Sequence, residues 1–231
     1  MVLREIITTS RIRLSKYPLY VEPSPDIEKV AKNLGIPFHT KRYQDIFFTW
    51  QPPPAPWFKY NSDGSLFNDQ EGFGAIIRDS QGHLIIGTMA RVSLASINHL
   101  EILGVKSGAL MCAQLNLNKV LFETDSTTIV CWLQGRGAAP WTSRRDLIET
   151  MDVLSCFEDW SISHTYREAN APADLMAARQ IPMGSKTISA QDIWTELDEA
   201  LHKDWIGILY QRKKANPEEA NELYASTFAS P

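Results

Sequence analysis

Four carboxylates in this 231-residue chain, Asp63, Glu101, Asp125 and Asp174, stand where packing alone seldom puts them. Asp63 lies within a strand-forming run, after Lys59-Tyr60-Asn61-Ser62 and before Gly64-Ser65. Glu101 falls in the first turn of a long helical pattern, Asp125 ends a short apolar strand, and Asp174 opens a last helix. Strand ends and helix starts along one edge of a mixed sheet can meet at a point, and several carboxylates there repel one another unless hard cations neutralise them. Magnesium is the expected partner, with manganese as a substitute.

Each acid also admits a plainer role. Glu101 follows Asn98 at capping-box spacing, Asp125 is placed to cap a helix beginning at Ser126, and Asp174 complements a helix dipole. Asp63 has no such alternative, because aspartate is disfavoured within an apolar strand unless it is charged at an edge or liganded. Taken singly, the plainer roles of the other three would prevail. His164, ten residues before Asp174, reads as part of a strand, so a packed or hydrogen-bonded imidazole is expected ahead of a catalytic one. Trp132, Trp141 and Trp160 read as packing residues, and His99 as helix surface.

The elements that must position the acids follow from periodicity. Trp57 to Leu66 and Gly72 to Asp79 alternate or run apolar, and turn chemistry at Asp79-Ser80-Gln81-Gly82 leads into His83 to Val92. These predict three antiparallel strands. From Ile97 to Leu115 apolar residues recur at helical spacing, with Ser96 or Asn98 as N-cap. Lys119 to Glu123 is a short strand flanked by helices, which predicts a crossover into a parallel neighbour. Helices at Ser126 to Leu133 and Arg144 to Cys156, a strand at Trp160 to Tyr166 and a helix at Ala171 to Gln180 complete the order. The predicted class is α/β, a five-stranded mixed sheet with three antiparallel and then two parallel strands and helices on both faces.

Punctuation and charge divide the chain. Four prolines in Gln51-Pro52-Pro53-Pro54-Ala55-Pro56 favour extended geometry and predict a linker. The expected parts are an N-terminal extension over 1–56, a folded domain over 57–179 and a C-terminal helical tail over 180–231, with net charges of +3, -4 and -3. The total of -4 argues against gripping nucleic acid or an anionic membrane by bulk charge. Cys112, Cys131 and Cys156 form no C-x-x-C pair and, being odd in number, no disulfide framework, which fits a reducing compartment. No run approaches the roughly 18 apolar residues of a spanning helix. A nuclear or cytoplasmic monomer is expected, although Arg4, Arg11, Arg13 and Lys16 among serines and threonines carry a faint organelle-transit character.

Five blocks, taken in order, are similar to the plant retroelement-type ribonuclease H domain. They are Asn61-Ser62-Asp63-Gly64-Ser65, Gly74 to Gly82, Leu100-Glu101-Ile102-Leu103-Gly104-Val105, Glu123-Thr124-Asp125-Ser126 and His164 to Asp174, and the likeness spans 57 to 179. Leu201 to Tyr210 is similar to the tail that follows this domain in plant members, while residues 1–56 resemble no family. The resemblance implies a ribonuclease H-like fold and an active site of Asp63, Glu101, Asp125 and Asp174 holding two magnesium ions about 3.5–4 Å apart. It further implies that Asp63 bridges both ions, that Asp174 serves the side of the attacking water, and that Glu101 and Asp125 serve the leaving-group side. The implied activity is endonucleolytic cleavage of the RNA strand of RNA/DNA hybrids, leaving a 3'-hydroxyl and a 5'-phosphate. Gly64 and Ser65 would lie close to the target strand and its 2'-hydroxyls, and Arg167 and Asn170 would touch phosphate or pin their loop.

One departure bears on affinity. Only Gln134 to Ser143 intervenes between Leu133 and Arg144, so the basic, tryptophan-rich protruding helix of many bacterial members is missing. Weak, salt-sensitive binding of hybrids is expected, with Arg78, Arg136, Arg144 and Arg145 as candidate substitutes. The competing class is a catalytically quiet, domesticated binding or interaction module of the same fold. A 3' to 5' exonuclease ranks third, because Ser62-Asp63-Gly64-Ser65 lacks an Asp-x-Glu pair. No Asp-Asp polymerase motif precedes the domain, so polymerase activity is not expected.

Overall fold

Alternation along Gly74 to Arg78 sends Ala75 and Ile77 to one face of a sheet and Ile76 to the other, and all three are fully buried. A strand buried on both sides needs helices on each. The structure, a computed structural model, describes residues 6, 8–9, 19–21, 24–35, 38–40, 43–67, 70–93 and 96–215. It divides into two units, Thr49–Tyr210 and the segments Met1–Phe48 and Gln211–Pro231 taken together. In the smaller unit β1 (Leu19–Val21) runs parallel to β2 (Phe38–Thr40), and β3 (Tyr43–Phe48) pairs with the strand Tyr210–Ala215, all but the first residue of which belongs to this unit. Between β1 and β2 lies α1 (Pro25–Leu34), with proline at its start and Asp26 and Glu28 in the first turn, as the helix dipole favours.

The larger unit is built on one sheet. Strands β4 (Phe58–Phe67), β5 (Gln70–Arg78) and β6 (Leu84–Arg91) form an antiparallel meander, β7 (Lys119–Thr124) runs parallel to β4, and β8 (Asp159–His164) parallel to β7. The five predicted strands are present in the predicted orientations. A sixth, β9 (Gly184–Ile188), adds antiparallel to β6, giving the order β8-β7-β4-β5-β6-β9. Helices α2 (Ile97–Gln114), α3 (Thr127–Leu133) and α4 (Trp141–Leu154) bury Val105, Ala109, Ile129 and Leu154 against Tyr60, Ile77 and Phe122. On the opposite face, α5 (Ala171–Ala178) and α6 (Thr195–Trp205) bring Met176 and Leu197 against Ile76, Met89 and Ile188.

Two glycines let the helices that carry Glu101 and Asp174 approach the sheet. A Cβ on Gly108 would lie 2.0 Å from the Tyr60 ring, and one on Gly74 2.0 Å from the Ala177 backbone nitrogen. Their absence seats α2 on β4 and α5 on β5. The Tyr60 hydroxyl donates to the Gly104 carbonyl at 2.5 Å, fixing α2 along its axis. Arg91, buried on β6, donates to the Ala177 carbonyl at 2.8 Å and to the Arg179 carbonyl, and so holds the C-terminus of α5.

The ends of this unit differ from the sequence expectation. The proline-rich stretch lies inside it, with Trp50 and Pro53 buried and the Trp57 N–H donating to the Pro54 carbonyl at 2.8 Å. Of Gln51 to Pro56 only Pro53 is buried, and the anchor is Trp50 just before them, whose ring lies 3.5 Å from the Arg78 guanidinium carbon, a cation–π contact that composition does not reveal. The segment after Gln180 is helical only in part. It contributes β9 before α6, because the open edge of β6 offers unpaired backbone groups that an extended segment satisfies.

Candidate active site

Oxygen atoms of Asp63, Glu101 and Asp125 lie within 4.8 Å of one another. Asp63 and Glu101 are 5% and 4% exposed, and Asp125 is half-buried. Glu101 accepts from the Gly64 N–H and from the Thr124 hydroxyl, both at 3.1 Å, so two strands hold its carboxylate from either side. The capping alternatives are taken by other residues. Ser96 caps α2, its hydroxyl accepting from the His99 N–H at 3.3 Å, and Ser126 caps α3, accepting from the Ile129 N–H at 3.4 Å. Glu101 and Asp125 are thus left to converge with Asp63.

Asp174 stands apart from that trio. It lies in the first turn of α5 and forms an ion pair with Arg167 at 2.5 Å, although its charge still acts on Asp63. Burial pushes the Asp63 carboxyl up to about 9, and the charges of Glu101, Asp125 and Asp174 add to this, while Arg167 opposes it. Burial, then Asp125, raises Glu101 to about 7, against the two hydrogen bonds from Gly64 and Thr124. An all-oxygen donor set that raises its own proton affinity is chemically suited to a hard divalent cation, which relieves the same repulsion as a proton does.

Other predicted residues fall differently. Asn170 is fully buried, its Nδ2 donating to the Ser62 carbonyl at 2.9 Å and its Oδ1 accepting from Asn61 Nδ2 at 3.3 Å. These bonds pin the loop, one of the two roles expected of it. Arg167 is mostly exposed, and Gly64 and Ser65 are partly exposed towards the end of β4. His164 is an exposed residue at the end of β8, stacked edge-on against Tyr166 with ring centres 5.3 Å apart. Trp132 is buried and Trp160 packs beside the core, but Trp141 is 85% exposed and is not a packing residue. Arg78 is fully buried in an ion pair with Asp204 at 2.6 Å, so it is no surface handle for a hybrid, and His99 is paired with Asp146 at 3.1 Å rather than solvated. Sequence reasoning missed Thr124, Asn61 and Glu123. For Asn61 the signal was the polar run Lys59-Tyr60-Asn61-Ser62 in a central strand, where each buried polar group must have a partner.

The family model described as reverse transcriptase-like matches residues 61–180, just over half of the chain and the stretch that holds all four acids. The chain belongs to the reverse transcriptase-like family. Solved structures similar to this family member include the N-terminal ribonuclease H domain of a Mycobacterium tuberculosis protein fused to maltose-binding protein. That match has 17% identity and a TM-score of 0.50, and covers 64% of this chain and 97% of that one. Ribonuclease H1 from Halobacterium salinarum is similar at 20% identity and a TM-score of 0.49, over 52% of this chain and 93% of the other. The compost-derived LC11 ribonuclease H1, solved in complex with an RNA/DNA hybrid, is similar at 20% identity and a TM-score of 0.48, over 52% and 92%. No curated protein matches the chain in sequence. The fold of this family member is that of ribonuclease H, a mixed sheet with helices on both faces.

Proposed function

We propose that this protein is an endonuclease that hydrolyses the RNA strand of RNA/DNA hybrids with the help of divalent cations, magnesium foremost. The observation that carries the reading is the meeting of Asp63, Glu101 and Asp125 within 4.8 Å, two of them buried, at the end of a ribonuclease H sheet. These three residues would hold the cations, with Asp174 at the margin. Such cations stabilise charge developing on a phosphate and make a bound water more acidic. The chain's own residues prepare the rest. Glu101, clamped by Gly64 and Thr124, needs no reorganisation when substrate arrives. Arg167, 68% exposed beside Asp174, offers a guanidinium to an incoming phosphate, and the backbone at Gly64 and Ser65 is the proposed reader of 2'-hydroxyls.

One observation favours the second reading, a catalytically quiet module: Asp174 is engaged by Arg167 instead of joining the trio. The deciding experiment incubates the purified full chain with a labelled RNA/DNA hybrid, with and without magnesium. Magnesium-dependent internal cuts confined to the RNA strand are expected. Intact hybrid at every metal concentration, together with equal melting temperatures in millimolar manganese and in ionic-strength-matched potassium chloride, leaves the quiet module.

A further inference from the structure

A buried amide lies immediately behind the acids. Asn61 is fully buried, sits two residues before Asp63 on β4, and faces Glu123 across the parallel ladder, itself two residues before Asp125. Its Oδ1 accepts from Arg78 Nη2 at 2.9 Å and from Trp50 Nε1 at 3.3 Å. Its Nδ2 donates to Glu123 Oε2 at 3.0 Å and to Asn170 Oδ1 at 3.3 Å. Each partner is tied in turn. Arg78 pairs with Asp204 of α6 at 2.6 Å, Lys59 holds the other Glu123 oxygen at 2.6 Å, and Asn170 grips the Ser62 carbonyl at 2.9 Å.

One side chain therefore joins β4, β5, β7 and the turn leading to α5, and reaches α6 through Arg78. Both ends of its amide are used, and no rotation of that amide preserves the set, because turning it over would set donor against donor and acceptor against acceptor. A buried amide with both ends bonded and fixed polarity favours one arrangement of the elements it links, whereas apolar packing tolerates small slides. The acids are the residues for which such slides matter.

We propose that Asn61 is a positioning residue for the acid cluster, setting the separation of Asp63 and Asp125 and seating the turn that precedes Asp174. Arg78 and Asp204 bind the C-terminal helix into the same device. The proposal rests on the metal-site reading above. It is tested by Asn61→Asp, which keeps the shape but turns the donor facing Glu123 into an anionic acceptor, and by Asn61→Asp combined with Glu123→Gln, which restores that hydrogen bond with reversed polarity. Two readouts are taken on the full chain: manganese affinity by calorimetric titration, and hydrogen exchange of the Gly64 amide, which reports the grip on Glu101 without metal.

Asn61→Asp is expected to weaken manganese about tenfold, the scale of lost outer-shell support, and to speed Gly64 exchange beyond any change at Ile76. The double variant should recover both to within about threefold. Where Asn61→Asp does not fold, Asp204→Asn slackens the network from α6 and should move both readouts in the same direction. A lowered melting temperature with unchanged manganese affinity and Gly64 exchange overturns the proposal, as does a double variant no better than the single. If the unmutated chain binds no manganese, the nuclease reading fails, and Gly64 exchange alone judges the role of Asn61.

Discussion

The two faces of the sheet are held by different physics. On the face covered by α2, α3 and α4, a large apolar cluster runs from Tyr60 and Ile77 through Val105, Phe122 and Ile129 to Leu154. On the face covered by α5 and α6 the apolar cluster is small, Ile76, Met89, Met176, Ile188 and Leu197, and beside it lies the buried polar system of Arg78, Asn61, Asn170 and Asp204. Apolar burial is non-directional and secures the compact unit. Hydrogen-bonded charges and amides are directional, add little net stability, and select one geometry among compact alternatives. The acids stand where the two regimes meet, with Glu101 arriving on α2 and Asp63 continuing the strand that carries Asn61.

The hardest way to break this junction is to alter the chemistry and spare the fold. Asp63→Asn should lower hybrid cleavage by about three orders of magnitude or more, the scale of losing a preorganised charge-stabilising group. The same variant should melt no lower than the parent in metal-free buffer, because it relieves repulsion from Glu101 and Asp125. Cleavage at the parental rate would remove Asp63 from the site.

Breaking the polar face comes next. Arg78→Met leaves Asp204 buried without its cation and should cost about 3–5 kcal/mol in denaturant unfolding, whereas Arg78→Met with Asp204→Leu should recover most of that loss. Arg145→Ala, which removes an exposed pair with Glu149, should leave the midpoint unchanged. A double variant as unstable as the single would show that the pair is not the unit of stability.

A smaller, pH-dependent effect sharpens the contrast. Asp63 and Glu101 have folded-state values raised to about 9 and about 7 from ordinary values of 3.8 and 4.5. Their contribution is fully present below the ordinary carboxylate range and is lost as pH rises through the folded values. Metal-free melts should therefore show the advantage of Asp63→Asn over the parent growing from pH 5 to pH 9, by about 2–4 kcal/mol after allowance for coupling. An advantage that stays constant with pH counts against mutual repulsion among the acids.

The smallest effect belongs to the apolar face. Ile77→Val, a one-methylene deletion in a fully buried side chain, should cost about 0.5–1.5 kcal/mol and leave manganese affinity unchanged. A loss of affinity equal to that of Asn61→Asp would dissolve the distinction between the faces.

Much of this was legible in the residues. Alternating or apolar runs bounded by turn residues predicted β4 to β6 and the helical period predicted α2, because these patterns are local consequences of which side chains can leave water. The turn at Asp79-Ser80-Gln81-Gly82 is equally local: the Asp79 carboxylate accepts from the Gln81 and His83 backbones at 2.8 and 2.9 Å, and Gly82 takes a φ of 83°. The four acids announced themselves by type and position. The structure gathers three of them and pairs Asp174 with Arg167, a partner seven residues away that spacing alone does not single out.

By itself, then, the sequence determined the order of elements, the two-faced sheet and the acids as a group, since each depends on neighbours a few residues away. The tertiary structure alone decided that Trp50 is buried against Arg78, that β9 extends the sheet, and that Arg78 is an internal cation and no surface one. Those outcomes turn on partners far along the chain: Trp50 meets Asn61, Asn61 meets Asn170, and Arg78 meets Asp204 across 126 positions. A polar residue in a strand declares that it needs a partner. Only the folded chain supplies which one, because desolvation penalises arrangements that leave such buried groups without partners.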